Sequence, residues 1–129
     1  MPKKAHLDDA GYDLIAEEST IIYPQDNVLV DTGTAIDLTP GYVAFVCPRS
    51  GLAARHNVTV GNAPGVVDPG YIGTIKANLQ NNGRIPYEVE RGDRIAQLIV
   101  QKIETPCFMP ATDLRPSRRG EGGHGSTGR

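Results

Sequence analysis

Pro48-Arg49-Ser50-Gly51-Leu52-Ala53 sets a guanidinium, a hydroxyl and a glycine where an apolar run gives way to good helix formers. The first amides of a helix have no internal partner and carry partial positive charge. A glycine lets an anion approach the backbone closely, and Arg offers a forked donor suited to phosphate. The six residues therefore describe a seat for phosphate. Taken alone, they fit an ordinary helix capped by Ser50, with a surface Arg, better.

A second stretch, Gly120-Glu121-Gly122-Gly123-His124-Gly125-Ser126-Thr127-Gly128, has the spacing of a phosphate-binding glycine-rich loop. It lacks the Lys of the NTPase version, no strand precedes it and no helix follows, so that reading fails its own structural test. Free backbone amides, two hydroxyls and Arg119 can still wrap a polyphosphate. In Asn62-Ala63-Pro64-Gly65-Val66-Val67-Asp68-Pro69-Gly70-Tyr71, turn chemistry sits inside an apolar frame. It predicts a β-hairpin carrying an Asp and a Tyr at its tip, with backbone groups able to read the edge of a base. Asp68 could act as a base toward water and Tyr71 as a flat wall, although Asp before Pro-Gly is also common in plain turns. Asp13, in Ala10-Gly11-Tyr12-Asp13-Leu14, has apolar neighbours and reads as a buried carboxylate. Gln97 interrupts the apolar run Ile95–Val100 and, if buried, needs partners.

Short β-type runs must position these groups: Thr20–Tyr23, Asn27–Asp31, Ala35–Leu38, Tyr42–Cys47, Val58–Val60, Ile72–Leu79, Tyr87–Val89 and Ile95–Ile103. Pro24, Gly33, Pro40-Gly41, Gly61-Asn62, Pro64-Gly65, Pro69-Gly70, Asn82-Gly83 and Arg91-Gly92-Asp93 punctuate them. Many short strands at this spacing predict an all-β sandwich or barrel. Thr74–Leu79 alternates cleanly, with one face dry and one wet. One short helix is expected from Ser50 to about His56, capped by Ser50. Residues 1–114 read as one β-domain. Residues 115–129, rich in Gly, Ser and Arg, read as a flexible C-terminal arm. Arg91-Gly92-Asp93 matches an integrin-binding tripeptide, a match that three residues make by chance.

The chain has 129 residues, enough for a single core. Hydrophobic residues are 39% and charged residues 22%, the composition of a folded body. Thirteen basic against 15 acidic residues leave a net charge of −2, which argues against a nucleic-acid polymer as partner. Cys47 and Cys107 both lie in apolar stretches and are expected to be buried free thiols. The N-terminus leads into no apolar run and no apolar stretch could span a bilayer, so a membrane role is not expected and a cytoplasmic setting is the default.

Taken in order from Ala10 to Gly128, the five segments resemble the five motifs of the trimeric dUTPase family. Each is weak alone; the ordered set covers nearly the whole chain. The resemblance implies a distorted jelly roll and a homotrimer with active sites at subunit interfaces. It also implies Mg2+-assisted hydrolysis of dUTP to dUMP and pyrophosphate, by in-line attack of water at the α-phosphate. Such an activity limits uracil incorporation into DNA and supplies dUMP for thymidylate synthesis. On the same resemblance, Asp13 organises the water shell of magnesium, and Arg49, Ser50 and Gly51 hold phosphate oxygens. Asn62, Gly65 and Val66 read uracil, Asp68 activates the attacking water, and Tyr71 packs on the deoxyribose. Gln97 contacts the phosphate region. Arg119, Gly125, Ser126 and Thr127 clamp the outer phosphates from an arm that closes over the site, and His124 stacks on uracil.

His124 stands where the family more often has Phe; a flat ring survives, with a titratable group in it. A dCTP deaminase on the same kind of fold would need a further acid/base group near the ring, and no extra Glu lies beside Asn62–Tyr71. A regulatory nucleotide-binding protein with this body would need added surface, which 129 residues hardly leave.

Overall fold

The computed structural model describes residues 1–112, 114–124 and 128. Nine strands and one helix follow in order: β1 (Tyr12–Ile15), β2 (Thr20–Ile22), β3 (Asn27–Asp31), β4 (Tyr42–Cys47), α1 (Ser50–His56), β5 (Val58–Val60), β6 (Gly65–Val67), β7 (Lys76–Asn81), β8 (Tyr87–Val89) and β9 (Arg94–Lys102). All pairings are antiparallel. They form a four-stranded sheet in the order β1-β9-β4-β6, a pair β2-β8, and a three-stranded sheet β3-β7-β5. The sheets stay open, so the architecture is a distorted jelly-roll sandwich and not a closed barrel.

Every strand contributes to one core. Leu14, Ile22, Val30, Val46, Val58, Val67, Leu79, Val89 and Ile95 all pack into it. The sequence pattern explains the layering. β4 and β9 are interior strands and apolar along most of their length, whereas β7 alternates: Ala77, Leu79 and Asn81 are buried and Lys76 is exposed. Burying one large aliphatic side chain is worth about 1.5–3 kcal/mol, so a core shared by nine short strands is what holds them together. Asn81 is fully buried but satisfied: its Nδ2 donates to Ile22 O (2.9 Å) and Ile85 O (2.8 Å), and its Oδ1 accepts from Gly83 N–H (2.8 Å).

Several expectations are corrected. Ala35–Leu38 is not a strand, although Leu38 points into the core. The run beginning at Ile72 becomes strand only at Lys76, and Ile72 is exposed. The predicted hairpin around Asn62–Tyr71 is a crossing between sheets, because β5 pairs with β7 while β6 pairs with β4. Asp68 and Tyr71 follow β6 and do not sit at a hairpin tip. Ser50 is the first residue of α1, not its cap; Arg49 holds the cap position and no side chain caps the helix. Asn57 ends the helix in the left-handed conformation (φ 57°), its N–H donating to Ala53 O. Cys47 is half-buried, and Cys107 is exposed rather than buried because its stretch lies beyond the last strand. Arg91-Gly92-Asp93 forms the β8–β9 turn, where Asp93 accepts from Glu90 N–H (2.9 Å). Among the described residues no helix is long and apolar enough to cross a membrane.

Candidate active site

The candidate residues separate into two clefts and the arm. In the first cleft, Asp13 on β1 lies opposite Gln97 on β9, and Gln97 lies opposite Cys47 on β4. Directly opposed residues share a sheet face, and their strand neighbours Leu14, Leu98 and Val46 are buried in the core. Asp13 therefore projects from the outward face, where its side chain is 19% exposed. Two guanidiniums meet it: Arg49 Nε at 3.2 Å and Arg94 Nη1 at 3.5 Å. Arg49 also donates through Nη1 to Arg94 O (3.2 Å). Gln97 Nε2 donates to Pro48 O (2.9 Å), which fixes the strand-to-helix junction carrying Arg49. A Cβ on Gly11 would collide with the Gln97 amide oxygen, so a larger residue there would have to displace the Gln97 side chain. The cleft is about 300 Å³ and is lined by Asp9, Gly11, Asp13, Arg49, Ser50, Gly51 and Gln97, among others.

The second cleft, about 260 Å³, opens beside the edge strand β6. Its walls are Val46, Val66, Val67 and Ile75, and its polar groups come from Asn62, Asp68, Tyr71 and Lys76 around Gly65. Gly65 is buried opposite Val46, and a Cβ there would press on both Val46 Cβ and Asn62 Nδ2 at 3.3 Å. Asp68 is exposed and enters no ion pair among the described residues. Its carbonyl accepts from Tyr71 N–H (3.2 Å), and Tyr71 Oη donates to Thr74 O (2.8 Å).

Beyond Ile103, whose N–H donates to Gly41 O, the described hydrogen bonds of the C-terminal residues stay among themselves. Arg119 Nε donates to Gly122 O (2.7 Å), and Arg119 and His124 are both exposed. No described arm residue lines either cleft. Gly125, Ser126 and Thr127 lie outside the described residues.

Within one chain, then, Asp13, Arg49, Ser50, Gly51 and Gln97 converge, and Asn62, Gly65, Val66, Asp68 and Tyr71 converge, while the two sets share no lining residue among the described residues. Sequence reasoning missed Arg94. A register shift between Leu14 and Ile15 offsets the β1–β9 pairing, and no local sequence signal announces that. It also missed Asp9, Lys76, and Thr74 with its partner Asp31. Burial raises the Cys47 thiol, and burial followed by the Asp93 charge raises the Tyr87 phenol.

A family model described as dUTPase matches residues 1–128. The chain belongs to the dUTPase family. Its enzyme class is therefore dUTP diphosphatase, a hydrolase. It is 51% identical over 129 residues to the deoxyuridine 5'-triphosphate nucleotidohydrolase of Thermobifida fusca, covering 99% of this chain and 72% of that one. The enzyme of the same name from Nocardia farcinica is 49% identical, with 99% of this chain and 78% of that one covered. Among solved structures, the dUTPase of Staphylococcus bacteriophage 80alpha, a point mutant with dUpNHpp, superposes with a TM-score of 0.94 at 28% identity over 100% of this chain and 92% of that one. The dUTPase from phage phi11 of S. aureus, described for the coordination of a structural Mg(II) ion, gives 0.83 at 25% identity over 90% and 92%.

Proposed function

We propose that this dUTPase splits dUTP into dUMP and pyrophosphate by in-line attack of water at the α-phosphate, in a homotrimer whose sites each combine the Asp68 cleft of one chain with the Asp13 cleft of another. The observation that carries the reading is the division of labour between the clefts. One offers apolar walls, exposed backbone and an unpaired carboxylate; the other offers guanidinium, hydroxyl, glycine and amide. A nucleoside triphosphate needs both chemistries at once, and one chain's clefts share no lining.

In this reading Asn62 and the backbone at Gly65 and Val66 bind uracil, and the close wall excludes a methyl group at the ring. Tyr71 packs on the deoxyribose, so a ribose hydroxyl is buried without a partner, at about 1–3 kcal/mol. Asp68 orients the water and takes its proton. Arg49, Ser50, Gly51 and Gln97 hold the phosphate chain, and its negative charge displaces Asp13 as the partner of Arg49. Residues 115–129 act as an arm that closes over a site, with Arg119, Gly125, Ser126 and Thr127 on the outer phosphates and His124 over the base. The arm has almost no apolar surface, so it orders only by docking.

The donor set bears on magnesium. Among the described residues no group of three or more His, Cys, Asp or Glu side chains could cage a metal ion, and Asp13 already faces two guanidiniums. That suits an ion held through water on the triphosphate, because Mg2+ keeps several waters and commonly uses one or two carboxylates plus substrate phosphates. Asp13 is the residue that would hold it; the ion supplies charge neutralisation on the triphosphate when bound.

The test is pyrophosphate release by purified protein with dUTP, dTTP, dCTP and UTP, with and without magnesium. Release from dUTP alone, enhanced by magnesium, is expected. Ammonia release from dCTP, or turnover of dTTP equal to that of dUTP, would replace the reading.

A further inference from the structure

We propose that Asp31 and Thr74 are positioning residues that set the sugar selectivity of the site by holding Tyr71 in place. The inference rests on the reading of Tyr71 as the wall against the deoxyribose. Tyr71 is 48% exposed, so core packing does not fix its ring. Its hydroxyl has one partner among the described residues, the carbonyl of Thr74 at 2.8 Å. The ring lies against the backbone of Gly73, where a Cβ would come within 2.7 Å of the hydroxyl and 2.9 Å of Cζ. The wall is thus as steady as residues 73 and 74.

Thr74 precedes β7 and belongs to no strand. It is tied down on two sides. On its C-terminal side Ile75 N–H donates to Thr34 O (2.7 Å), and Ile75 O accepts from Thr32 N–H (3.1 Å) and Thr32 Oγ1 (2.7 Å). On the other side the Thr74 hydroxyl donates to Asp31 Oδ2 (2.8 Å), across a gap of forty-three residues in sequence. Asp31 is a firm anchor. It closes β3 opposite Lys76, and its other oxygen accepts from Gly33 N–H (2.8 Å). Gly33 has φ +60°, a conformation that favours glycine. Those two donors, Gly33 N–H first and Thr74 second, hold the Asp31 carboxyl below its usual range, so it remains an acceptor at neutral pH. A chain of contacts therefore runs from the end of one strand to the phenol that faces the cleft: Asp31, Thr74, Tyr71.

Neither Asp31 nor Thr74 lines the cleft, so their effect passes through Tyr71. Discrimination against a single hydroxyl depends on a close fit, and a small shift of the ring admits it. Loosening the chain should let UTP in more than it harms dUTP.

The experiment measures kcat/KM for dUTP and for UTP in the wild type and in Thr74→Val, Thr74→Ser, Asp31→Ala, Gly73→Ala and Tyr71→Ala, with Tm as a check on folding. Thr74→Val, Asp31→Ala and Gly73→Ala should each lower the dUTP:UTP ratio about three- to tenfold. Thr74→Ser, which keeps the hydroxyl, should restore it, and Tyr71→Ala should lower it furthest. A merely structural role would depress both substrates together and leave the ratio alone. If Tyr71→Ala collapses the ratio while folded Thr74→Val and Asp31→Ala keep it, the backbone clamp at Ile75 suffices and the proposal is overturned. If Tyr71→Ala itself leaves the ratio unchanged, the reading of Tyr71 fails, and the proposal fails with it. Should Asp31→Ala not fold, Thr74→Val, at an exposed position, decides the matter alone.

Discussion

The Asp13 and Asp68 clefts are similar in size and opposite in state. The Asp13 cleft is electrostatically closed on itself, its carboxylate facing Arg49 and Arg94 at 3.2 and 3.5 Å. The Asp68 cleft is open: its carboxylate is exposed, unpaired among the described residues, and framed by Val46, Val66 and Ile75. On the proposed reading, ligand binding reorganises one cleft and not the other. A flat base would enter the second cleft with its walls in place. A phosphate chain entering the first would compete with Asp13 for Arg49, so that charge already balanced within the protein is transferred to the ligand.

The largest expected effect lies in the open cleft. Asp68→Asn should keep dUTP binding close to that of the wild type while lowering kcat by about two to four orders of magnitude, because an amide cannot accept the proton. Steady-state kinetics with a dUTP titration decide it, and near-normal turnover removes Asp68 from its role. The division between clefts is tested next by mixing. Asp68→Asn spoils one cleft and Arg49→Ala the other. Refolded together in equal amounts, a site works when its Asp68 comes from one variant and its Arg49 from the other. One half times one half gives roughly a quarter of wild-type activity in a closed ring of three. Hybrid trimers verified by mass and still inactive would mean that one chain supplies both clefts to each site. The smallest effect concerns the cysteines. Burial raises the Cys47 thiol, while Cys107 is exposed, so a limiting dose of iodoacetamide near pH 8 should label Cys107 first. Peptide mass mapping reads the order, and faster labelling of Cys47 would show that β4 opens at this end.

Most strands were legible in the sequence; β1 and β6, the two edges of the four-stranded sheet, were not. β4 and β9 are apolar runs that advertise themselves. β1 contains Tyr and Asp, and β6 begins with Gly; both are strands because a distant partner completes their hydrogen bonds, β9 for the one and β4 for the other. Ala35–Leu38 shows the converse, β-type residues with no partner. The site was legible as residue types in order, since Arg49, Asp68 and Tyr71 sit in local turn and helix-start chemistry. Its grouping into two clefts was not, because register decides which side chains share a face. Arg94 reaches Asp13 only through the offset between Leu14 and Ile15.

The buried carboxamide of Asn81 has a consequence for how the protein ages. An Asn-Gly pair such as Asn82-Gly83 loses ammonia when the glycine nitrogen attacks the Asn side chain to form a cyclic imide, and the chain there must bend freely for this to happen. Here the attacking nitrogen is Gly83 N, whose hydrogen is held by Asn81 Oδ1 at 2.8 Å, and Asn82 N–H is held by Asn57 O at 2.9 Å. The dipeptide is clamped on one side by Asn81, which the solvent does not reach, and on the other by the backbone carbonyl of Asn57. Chemical ageing at this turn therefore waits on opening of the core: deamidation of Asn82, followed by mass over weeks of storage, should track the fraction of unfolded protein, and Asn81→Ala should shorten the shelf life before it changes the active site.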